Sequence, residues 1–360
     1  MSQTEGSRTR TRQGPITIAS HEVAPGKRVP IDIPVAMLYT HTPVTLSLQV
    51  KRGHFAGPTL FLSAAIHGDE LNGVEIIRRV LNAPAVRHLR GTLIAAPIVN
   101  VFGFLNRSRY LPDRRDLNRT FPGSPNGSLA SRLAHLFMAE VVDRCDYGID
   151  LHTGSLHRSN LPQIRAHCCD LKITEMAQAF GVPVILNTTL RSGSLRHAAT
   201  ERGVQTILYE CGEALRFDEM AIRAGVRGVL NVMKHLGMIR GSKLTKPPIA
   251  PLISSNSSWL RAPISGMFRH DCALGAHVEP GQLLATVSDP IGASEVEVVA
   301  QREGIVIGSN NLPVVNQGDA LFHVAFAKNS ESVEEKVDIF HEELDYDSDS
   351  TKAVPVWMVS

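Results

Sequence analysis

The segment His67-Gly-Asp-Glu70 places an imidazole and a carboxylate three residues apart, at a corner where a predicted strand leads into a predicted helix. The two side chains can converge on one point there, and both are ligands that zinc accepts. A catalytic zinc site usually has three protein ligands and one open position, so a third ligand must come from elsewhere. His152, in Asp150-Leu-His-Thr, ends another predicted strand. The sequence therefore predicts a metal site made of His67, Glu70 and His152.

Two further carboxylates are expected around this site. Asp150 points to the same side of its strand as His152 and can hold that imidazole ring in place. Glu210, in the motif YECGE, lies at the end of a further predicted strand. Amide hydrolysis needs a base for the water and an acid for the leaving amine, and one carboxylate can serve as both. Glu213 is the competing candidate for this base, although it is expected beyond the end of the strand.

A long segment, residues 101–127, is rich in Arg, Asn, Pro and Gly. A loop of that length inside a compact domain is usually functional. Its motifs SRY and DLNRT contain Arg109, Asn118 and Arg119, which we expect near the metal site. A planar guanidinium can pair with a carboxylate through two hydrogen bonds, and another can stabilise an oxyanion. The loop therefore offers groups that would bind and polarise an anionic substrate.

Each of these patterns is weak alone. A histidine at a strand end is usually an ordinary polar residue, and the chain has 15 histidines, so His54, His135 and His235 are given no role. An Asn-Arg pair in a loop commonly satisfies backbone groups only. The joint occurrence of the motifs, each at a predicted strand end or in the long loop, favours a metal site over these structural explanations.

The elements that must position these residues indicate a layered α/β domain. Continuous apolar runs at 59–66 and 91–100 are typical of strands covered on both faces. Strands alternate with helices after them, and ligands of such sheets bind at the carboxyl ends of the strands. Further strands are predicted at 147–153, 162–168, 182–188 and 205–211, and helices at 71–81, 129–141, 171–180, 194–202 and 218–237.

The domain organisation is predicted from changes in composition. A polar arm, residues 1–13, is expected to be disordered and precedes the catalytic α/β domain at 14–242, and the Pro- and Ser-rich stretch 243–258 is typical of a linker. Residues 259–328 contain a repeat, since APISG and VEPG are echoed by AQREG and VNQG. Two such β-units predict a small all-β sandwich or barrel that looks like the biotinyl/lipoyl-carrier fold. The acidic segment 329–360 is expected to be a solvated or partly helical tail.

The predicted β-domain has no lysine between residues 247 and 327. Carriers of this fold display biotin or lipoate on a lysine, so this domain cannot carry such a cofactor. We expect it to shape the rim of the pocket or to form the contact of a homo-oligomer.

Composition excludes several classes of protein. The formal net charge is only +2, which argues against a nucleic-acid-binding face. There is no run of 18 apolar residues, so we expect no membrane partner, and the N-terminus lacks the apolar region of a secretory signal. Five cysteines without a CxxC pair suit a reducing compartment, which predicts a cytoplasmic location.

Taken together, HGDELNG, SRYLPDRRDLNRTFPG, DLHTG and YECGE resemble the motifs of the succinylglutamate desuccinylase/aspartoacylase family, within the wider zinc carboxypeptidase clan. The resemblance covers residues 58–240, and the β-domain resembles the C-terminal domain of bacterial members. It implies a zinc-carboxypeptidase-like mixed sheet flanked by helices, and one Zn²⁺ per chain.

The same resemblance implies roles for single residues. Glu210 matches the general base, and Arg109 matches the residue that polarises the scissile carbonyl. Asn118 and Arg119 match the pair that binds the substrate carboxylate. The family's zinc ligands are matched by His67, Glu70 and His152.

The predicted function is zinc-dependent hydrolysis of a linear amide, a C–N bond other than a peptide bond, in a small N-acyl amino acid. A zinc-bound water activated by Glu210 would attack the acyl carbonyl. One alternative is a zinc carboxypeptidase that trims a C-terminal residue from peptides. Another is a metal-binding protein without catalysis, against which the presence of both Glu210 and Arg109 argues.

Overall fold

The computed structural model of the chain describes residues 11–240, 250–326 and 331–350. In these ranges the helices are α1 (Asn72–Asn82), α2 (Val101–Leu105), α3 (Leu129–Glu140), α4 (Leu171–Phe180), α5 (Leu195–Glu201), α6 (Glu219–His235) and α7 (Glu331–Ser350). The strands of the first part are β1 (Ile16–Ile18), β2 (His21–Val23), β3 (Arg28–Met37), β4 (Pro43–Arg52), β5 (Phe55–Ala64), β6 (Arg90–Ala96), β7 (Tyr147–His152), β8 (Arg158–Ala166), β9 (Val184–Asn187) and β10 (Gln205–Gly212). Those of the second part are β11 (Leu252–Ser254), β12 (Ser257–Arg261), β13 (Gly266–His270), β14 (His277–Val278), β15 (Leu283–Ser288), β16 (Glu295–Val299), β17 (Gly304–Asn310), β18 (Val314–Val315) and β19 (Ala320–Phe326).

One large sheet runs through the described residues, and its central strands carry the predicted site. The strand order along its main path is β12-β19-β17-β8-β10-β7-β5-β6-β4-β3. Strands β10, β7, β5 and β6 pair in parallel, whereas β8 and β4 run antiparallel on either side of them. Because the carboxyl ends of parallel strands meet at one edge of a sheet, residues that end β5, β7 and β10 lie together.

Helices cover both faces of this sheet, as its continuous apolar strands predict. On β5, Leu60 and Leu62 pack with α1, α4 and α6, while Phe61 between them packs with α3 and α5. The ring of Phe61 meets Phe137 of α3 edge-on, with ring centroids 6.1 Å apart. All of these side chains are fully buried. The predicted mixed α/β fold is confirmed, and burial on both faces fixes which residues each strand presents.

The predicted ends of α6 are confirmed, but residues 101–127 are less irregular than predicted. Asp218 caps α6 by accepting a hydrogen bond from the backbone N–H of Ala221, and Gly237 follows the helix with a φ of 69°. Within the long segment lie α2 and a 3₁₀ turn at Leu117–Arg119. Side-chain caps explain both, since Asn100 accepts from Gly103 N at the start of α2, and Asp116 begins the 3₁₀ turn in the same way.

The all-β unit predicted at the C-terminal side is present, and its strands extend the large sheet. Strand β17 pairs antiparallel with β8, where Gly308 lies opposite Asn160, and β17 continues to β19 and β12. A second sheet, with the order β16-β15-β13-β18, packs against these strands around a separate apolar core. The all-β unit is therefore hydrogen-bonded directly to the strand beside β10.

The prediction of a linker at 243–258 is wrong for the part that the structure describes. Residues 243–249 lie outside the described residues, but β11 pairs in parallel with β9, and β12 begins at Ser257. The backbone N–H of Leu252 donates to the carbonyl of Pro183 at 2.8 Å. These hydrogen bonds hold the segment against the sheet, although its Pro and Ser content is typical of a loop.

The acidic segment is helical in its described part, and one face of that helix is buried. Val333, Val337, Phe340 and Leu344 recur at helical spacing and are all 3% exposed or less. The guanidinium of Arg227 on α6 lies 4.8 Å from the centre of the Phe340 ring. Of the two predicted alternatives, a solvated or a partly helical tail, the described residues form a helix, and apolar burial with this cation–π contact holds one of its faces against the domain. None of the helices in the described ranges has both the length and the apolar character that crossing a membrane requires.

Candidate active site

His67, Glu70 and His152 converge in a buried cluster at the carboxyl edge of the large sheet. One ligand atom from each lies within 4.8 Å of the other two. The Glu70 carboxylate bridges the rings, since Oε1 is 2.7 Å from Nδ1 of His67 and Oε2 is 2.7 Å from Nδ1 of His152. The structure therefore brings the three predicted ligands into a group that could hold a metal ion.

The other ring nitrogen of each histidine faces a second carboxylate. His152 Nε2 lies 2.8 Å from Asp150 Oδ2, as the strand alternation predicts, and Asp150 Oδ1 accepts from Ser63 Oγ at 2.7 Å. His67 Nε2 lies 3.1 Å from Asp116 Oδ1 on the long segment. Both imidazoles thus present Nδ1 to the centre of the cluster while Nε2–H is held from behind, which is the usual support of metal-binding histidines. This donor set fits zinc.

A close backbone approach shapes the corner that carries His67 and Glu70. The corner joins β5 to α1, and the backbone N–H of Glu70 donates to the carbonyl of His67 at 3.1 Å. Gly68 lies against the backbone of α2, where an added Cβ would come within 2.0 Å of the carbonyl carbon of Gly103. Glycine is therefore required here for a steric reason, because any side chain would push the corner away from the long segment.

The carboxylates of the cluster are stabilised in their charged form. Burial alone would raise the pKa of the Glu70 carboxyl, but the two imidazoles beside it bring that pKa well below its usual range. Burial would also raise the pKa of Asp116. The hydrogen bonds and charges of His67 and Arg109 outweigh burial, so the pKa of Asp116 is also well below its usual range. Ionised oxygens in an enclosed site are suited to binding a cation.

Glu210 lies directly beside the metal-site strand. It is the register partner of His152 in the parallel pair of β10 with β7. Its Oε2 accepts from Arg165 Nη2 at 2.8 Å and from Asn160 Nδ2 at 3.1 Å, both on the neighbouring strand β8. Oε1 has no hydrogen-bond partner within the described part of the chain. The carboxylate is thus fixed at one oxygen and leaves the other for a reacting proton.

Arg109 lies at the cluster, where the sequence predicts it. Its Nη2 and Nε donate to Asp116 Oδ2 at 2.9 and 3.2 Å, and its Nη1 is 3.5 Å from Glu70 Oε1. The same Nη1 lies 3.2 Å from Nδ1 of His67. Asp116 therefore positions both a predicted metal ligand and the guanidinium that faces it.

Asn118 and Arg119 reach the same region from the 3₁₀ turn. Asn118 is buried, and its Oδ1 accepts from the backbone N–H of Leu195 at the start of α5. Arg119 donates from Nη1 to the carbonyl of Asn118 at 2.6 Å and has no carboxylate within ion-pair distance among the described residues. Burial lowers the pKa of Arg119, the charge of Asp116 opposes this, and the charges of Arg191 and Arg109 lower the pKa further. This arginine is thus a cation without a carboxylate in direct contact among the described residues.

All seven predicted site residues line one cavity of about 510 Å³. Six arginines line its wall: Arg109, Arg119, Arg158, Arg165, Arg191 and Arg196. Of these, the sequence predicted only Arg109 and Arg119. Of these six cavity arginines, only Arg109 and Arg165 form ion pairs with carboxylates of the described residues. The cavity therefore has an excess of positive charge, which suits an anionic ligand.

Arg196 is the most deeply placed of these arginines. It is 7% exposed, its Nη2 donates to Thr188 Oγ1 at 2.9 Å, and its Nη1 is buried without a hydrogen-bond partner in the described structure. Burial lowers its pKa to about 10, and the charge of Arg165 acts in the same direction. An unsatisfied guanidinium in a cavity wall is costly to bury, so an anion in the cavity would stabilise it.

Glu213, the competing candidate for the base, does not line this cavity. It follows the end of β10 and accepts hydrogen bonds from His157 N, Arg216 and Asn311. A larger cavity of about 1010 Å³ lies in the C-terminal all-β unit, and none of the predicted site residues lines it. The chemistry predicted from sequence therefore belongs to the smaller cavity.

The chain is similar to known proteins over most of its length. The family model of the succinylglutamate desuccinylase/aspartoacylase catalytic domain matches residues 56–236. The N-alpha-acetyl-L-2,4-diaminobutyric acid deacetylase of Halomonas elongata is 30% identical over 295 residues, which are 79% of this chain and 85% of that protein.

Solved structures show the same fold. The succinylglutamate desuccinylase/aspartoacylase of Rhodobacter sphaeroides has a TM-score of 0.73 and 26% identity, over 84% of this chain and 95% of that one. The product-bound ectoine utilization protein EutE (DoeB) of Ruegeria pomeroyi gives the same score and identity, over 83% of this chain and 95% of that one. The chain therefore belongs to the succinylglutamate desuccinylase/aspartoacylase family.

Proposed function

We propose that this protein is a zinc-dependent amidohydrolase that removes the acyl group from a small N-acyl amino acid. The observation that carries the proposal is the meeting of His67, Glu70, His152 and Glu210 in one arginine-lined cavity. His67 and His152 through Nδ1, and Glu70 through its carboxylate, would hold the zinc. When bound, zinc supplies the Lewis acidity that activates water near neutral pH.

In this proposal Glu210 moves the proton. Its Oε2 is held by Arg165 and Asn160, so Oε1 would take a proton from the attacking water as its oxygen bonds to the acyl carbon. Oε1 would then give that proton to the nitrogen as the C–N bond breaks, releasing a carboxylic acid and an amine, which ionise to carboxylate and ammonium at neutral pH. Positioning by two donors keeps the same oxygen available for both steps.

Arg109 and the Asn118–Arg119 pair would bind the substrate at two places. The Arg109 guanidinium, fixed by Asp116, can stabilise negative charge that develops on the carbonyl oxygen. Arg119 keeps donors free beyond its bond to the Asn118 carbonyl, and these can grip the α-carboxylate of the amino acid. Such an anchor would set the scissile carbonyl against the metal site.

We also propose that the C-terminal all-β unit has a fold like that of biotinyl and lipoyl carriers but bears no biotin or lipoate. Strands β15 and β16 form a hairpin whose tip, residues 289–294, would be the display site, and no lysine occurs between residues 247 and 327. Intact mass of the protein from its native host should therefore show no biotinyl or lipoyl addition. Detection of either group would overturn this assignment.

A hydrolysis screen on metal-loaded protein tests the proposed function. The substrates are acetyl, succinyl and aspartyl amides of amino acids, N-alpha-acetyl-L-2,4-diaminobutyric acid among them, and short peptides with free C-termini. Release of amine from acyl amino acids, with peptides left intact, is the expected result. Trimming of peptides alone would instead identify a carboxypeptidase, and metal binding without turnover of any substrate would indicate a protein without catalysis.

A further inference from the structure

Trp259 brings the C-terminal all-β unit into the wall of the active-site cavity. It lies on β12, opposite His323 of β19, and the two rings stack with centroids 4.7 Å apart and planes 9° from parallel. His323 is buried, and its Nε2 lies 2.9 Å from Ser257 Oγ. Burial lowers the pKa of His323 to about 3, with the charge of Arg165 contributing, so a neutral ring supports the indole.

Arg158 lies against this indole from the catalytic side. Its guanidinium carbon is 5.4 Å from the centre of the Trp259 ring, which is cation–π distance. Its backbone is fixed as well, because Arg158 starts β8 and pairs with Asn310 of β17. Gly308 lies close to the side chains of both neighbouring strands, since an added Cβ there would come 3.0 Å from Asn160 Oδ1 and 3.1 Å from the Cβ of His323. The C-terminal unit thus holds Arg158 by both backbone and side chain.

The Arg158 guanidinium has no carboxylate partner in the described part of the chain, although it lines the cavity. Arg165, on the same strand, differs from Arg158 because its guanidinium forms an ion pair with Glu210. The Asn118–Arg119 pair is held by the 3₁₀ turn and α5, and none of its contacts is shared with Arg158. Arg158 is therefore a separate, preorganised cation of the cavity.

We propose that Arg158, held against Trp259, is a specificity-determining residue that binds a second carboxylate of the substrate, remote from the scissile amide. This inference rests on the proposed function, because the first carboxylate is the one assigned to Arg119. Substrates with a remote carboxylate should be preferred to neutral ones of equal size. A remote ammonium group, as in N-acetyl-2,4-diaminobutyrate, should be disfavoured by the unpaired guanidiniums.

The test compares matched substrates. On the amino-acid side these are N-acetylglutamate, N-acetylglutamine and N-acetyl-2,4-diaminobutyrate, and on the acyl side N-succinylalanine and N-butyrylalanine. Wild type should prefer the remote carboxylate in at least one set, and Arg158→Gln should raise its KM by about tenfold to a hundredfold, the range for a lost charge-assisted pair. The KM of the neutral partner and kcat should change by less than about twofold.

Variants of the ring separate binding from folding. Trp259→Leu should reduce the preference and Trp259→Phe should retain part of it, because a phenyl ring still offers a cation–π face. Arg302→Gln is the matched control, since Arg302 lies 5.2 Å from the Phe326 ring in the same unit but outside the cavity. That control should leave the preference unchanged. Equal losses in all these variants would mean a structural role and would overturn the proposal.

A binding measurement keeps the proposal independent of turnover. In a Glu210→Gln background, calorimetry should give N-acetylglutamate or N-succinylalanine a Kd at least tenfold lower than that of its neutral partner, and Arg158→Gln should remove the difference. An unchanged difference in Arg158→Gln would refute the role of Arg158 alone. Absence of hydrolysis by wild type, with these binding differences intact, would refute the proposed function while the anion site stands.

Discussion

Replacing Arg119 with Lys tests whether the long segment reads the carboxylate of the substrate. The change keeps a positive charge but removes the planar fork that pairs with a carboxylate through two hydrogen bonds. In the structure one donor of Arg119, Nη1, is occupied by the carbonyl of Asn118, and no protein carboxylate neutralises the guanidinium in the described residues. The remaining donors are available to substrate, so the loss should fall on substrate binding.

The expected magnitude follows from the hydrogen bonds at stake. A charge-assisted hydrogen bond contributes about 1.5–3 kcal/mol, and each 1.4 kcal/mol corresponds to a factor of about ten. Loss of one such bond from the fork should therefore reduce kcat/KM by about tenfold to a hundredfold. The competing explanation is that Arg119 only braces the 3₁₀ turn through Asn118. In that case the substitution would lower stability and affect every substrate alike.

The assay compares wild type and Arg119→Lys on an acyl amino acid and on its methyl ester or carboxamide. Only the free carboxylate substrate should lose kcat/KM. Arg115→Lys is a suitable control, because Arg115 lies on the same segment, is largely exposed and lies within 4.0 Å of Asp113. Equal losses on the free acid and on the ester would refute the carboxylate anchor.

Three further predictions concern the metal, the corner and the response to pH. His67→Ala and His152→Ala should each lower metal content, measured by elemental analysis, from about one ion per chain to near zero. Glu210→Gln should keep the metal and reduce kcat by about 10²–10⁴-fold. Full metal occupancy in both histidine variants would contradict the ligand assignment. Gly68→Ala should destabilise the fold by about 1–3 kcal/mol in urea melts, because its Cβ would meet backbone at 2.0 Å; an unchanged midpoint would count against the steric argument. Burial lowers the pKa of His323 from 6.5 to about 3, so on acidification the unfolded chain takes up a proton at this histidine before the folded chain does. The free energy of unfolding should therefore fall as pH drops from 6.5 towards 3, by at most about 1.4 kcal/mol per pH unit. His323→Gln should flatten this part of the curve of stability against pH, and an identical slope would refute the role given to His323.

The metal cluster could be predicted from sequence because strand ends can be located there. An apolar run precedes His67, and the short strand YGIDLH ends at His152, so both residues fall at the carboxyl edge of one sheet. Asp150 behind His152 follows from strand alternation alone. Glu210 also ends a strand, and its register with His152 confirms that the two residues are adjacent. The catalytic roles given to these residues remain predictions.

Other parts of the site depend on strand pairing that the sequence does not show. Arg165 and Asn160 reach Glu210 only because β8 runs antiparallel beside β10. Arg158 meets Trp259 only because β17 of the C-terminal unit pairs with β8. The number of arginines that follow His152 is a sequence feature that could have pointed to an anion-binding cavity. Their spacing, however, does not indicate which of them line it.

The linker prediction and the unpredicted buried face of α7 have a common origin in composition. The stretch before Trp259 has the proline and serine content of a linker, yet its backbone hydrogen bonds to Pro183 and β9 make it part of the sheet. In the acidic segment the apolar spacing of Val333, Val337 and Phe340 predicts a helix with one buried face. The carboxylates obscured that pattern, although those of Glu334, Glu335, Asp338, Glu342 and Glu343 are exposed on the other faces.

We propose that hydrolysis of an N-acyl amino acid depends on a metal held by His67, Glu70 and His152. This dependence is tested by measuring zinc content and turnover in the same preparation, before chelation, after chelation and after zinc is added back. We expect activity to follow zinc content and to saturate at about one ion per chain. Turnover that persists after complete removal of the metal would contradict it, and so would a fully loaded protein that hydrolyses no acyl amino acid.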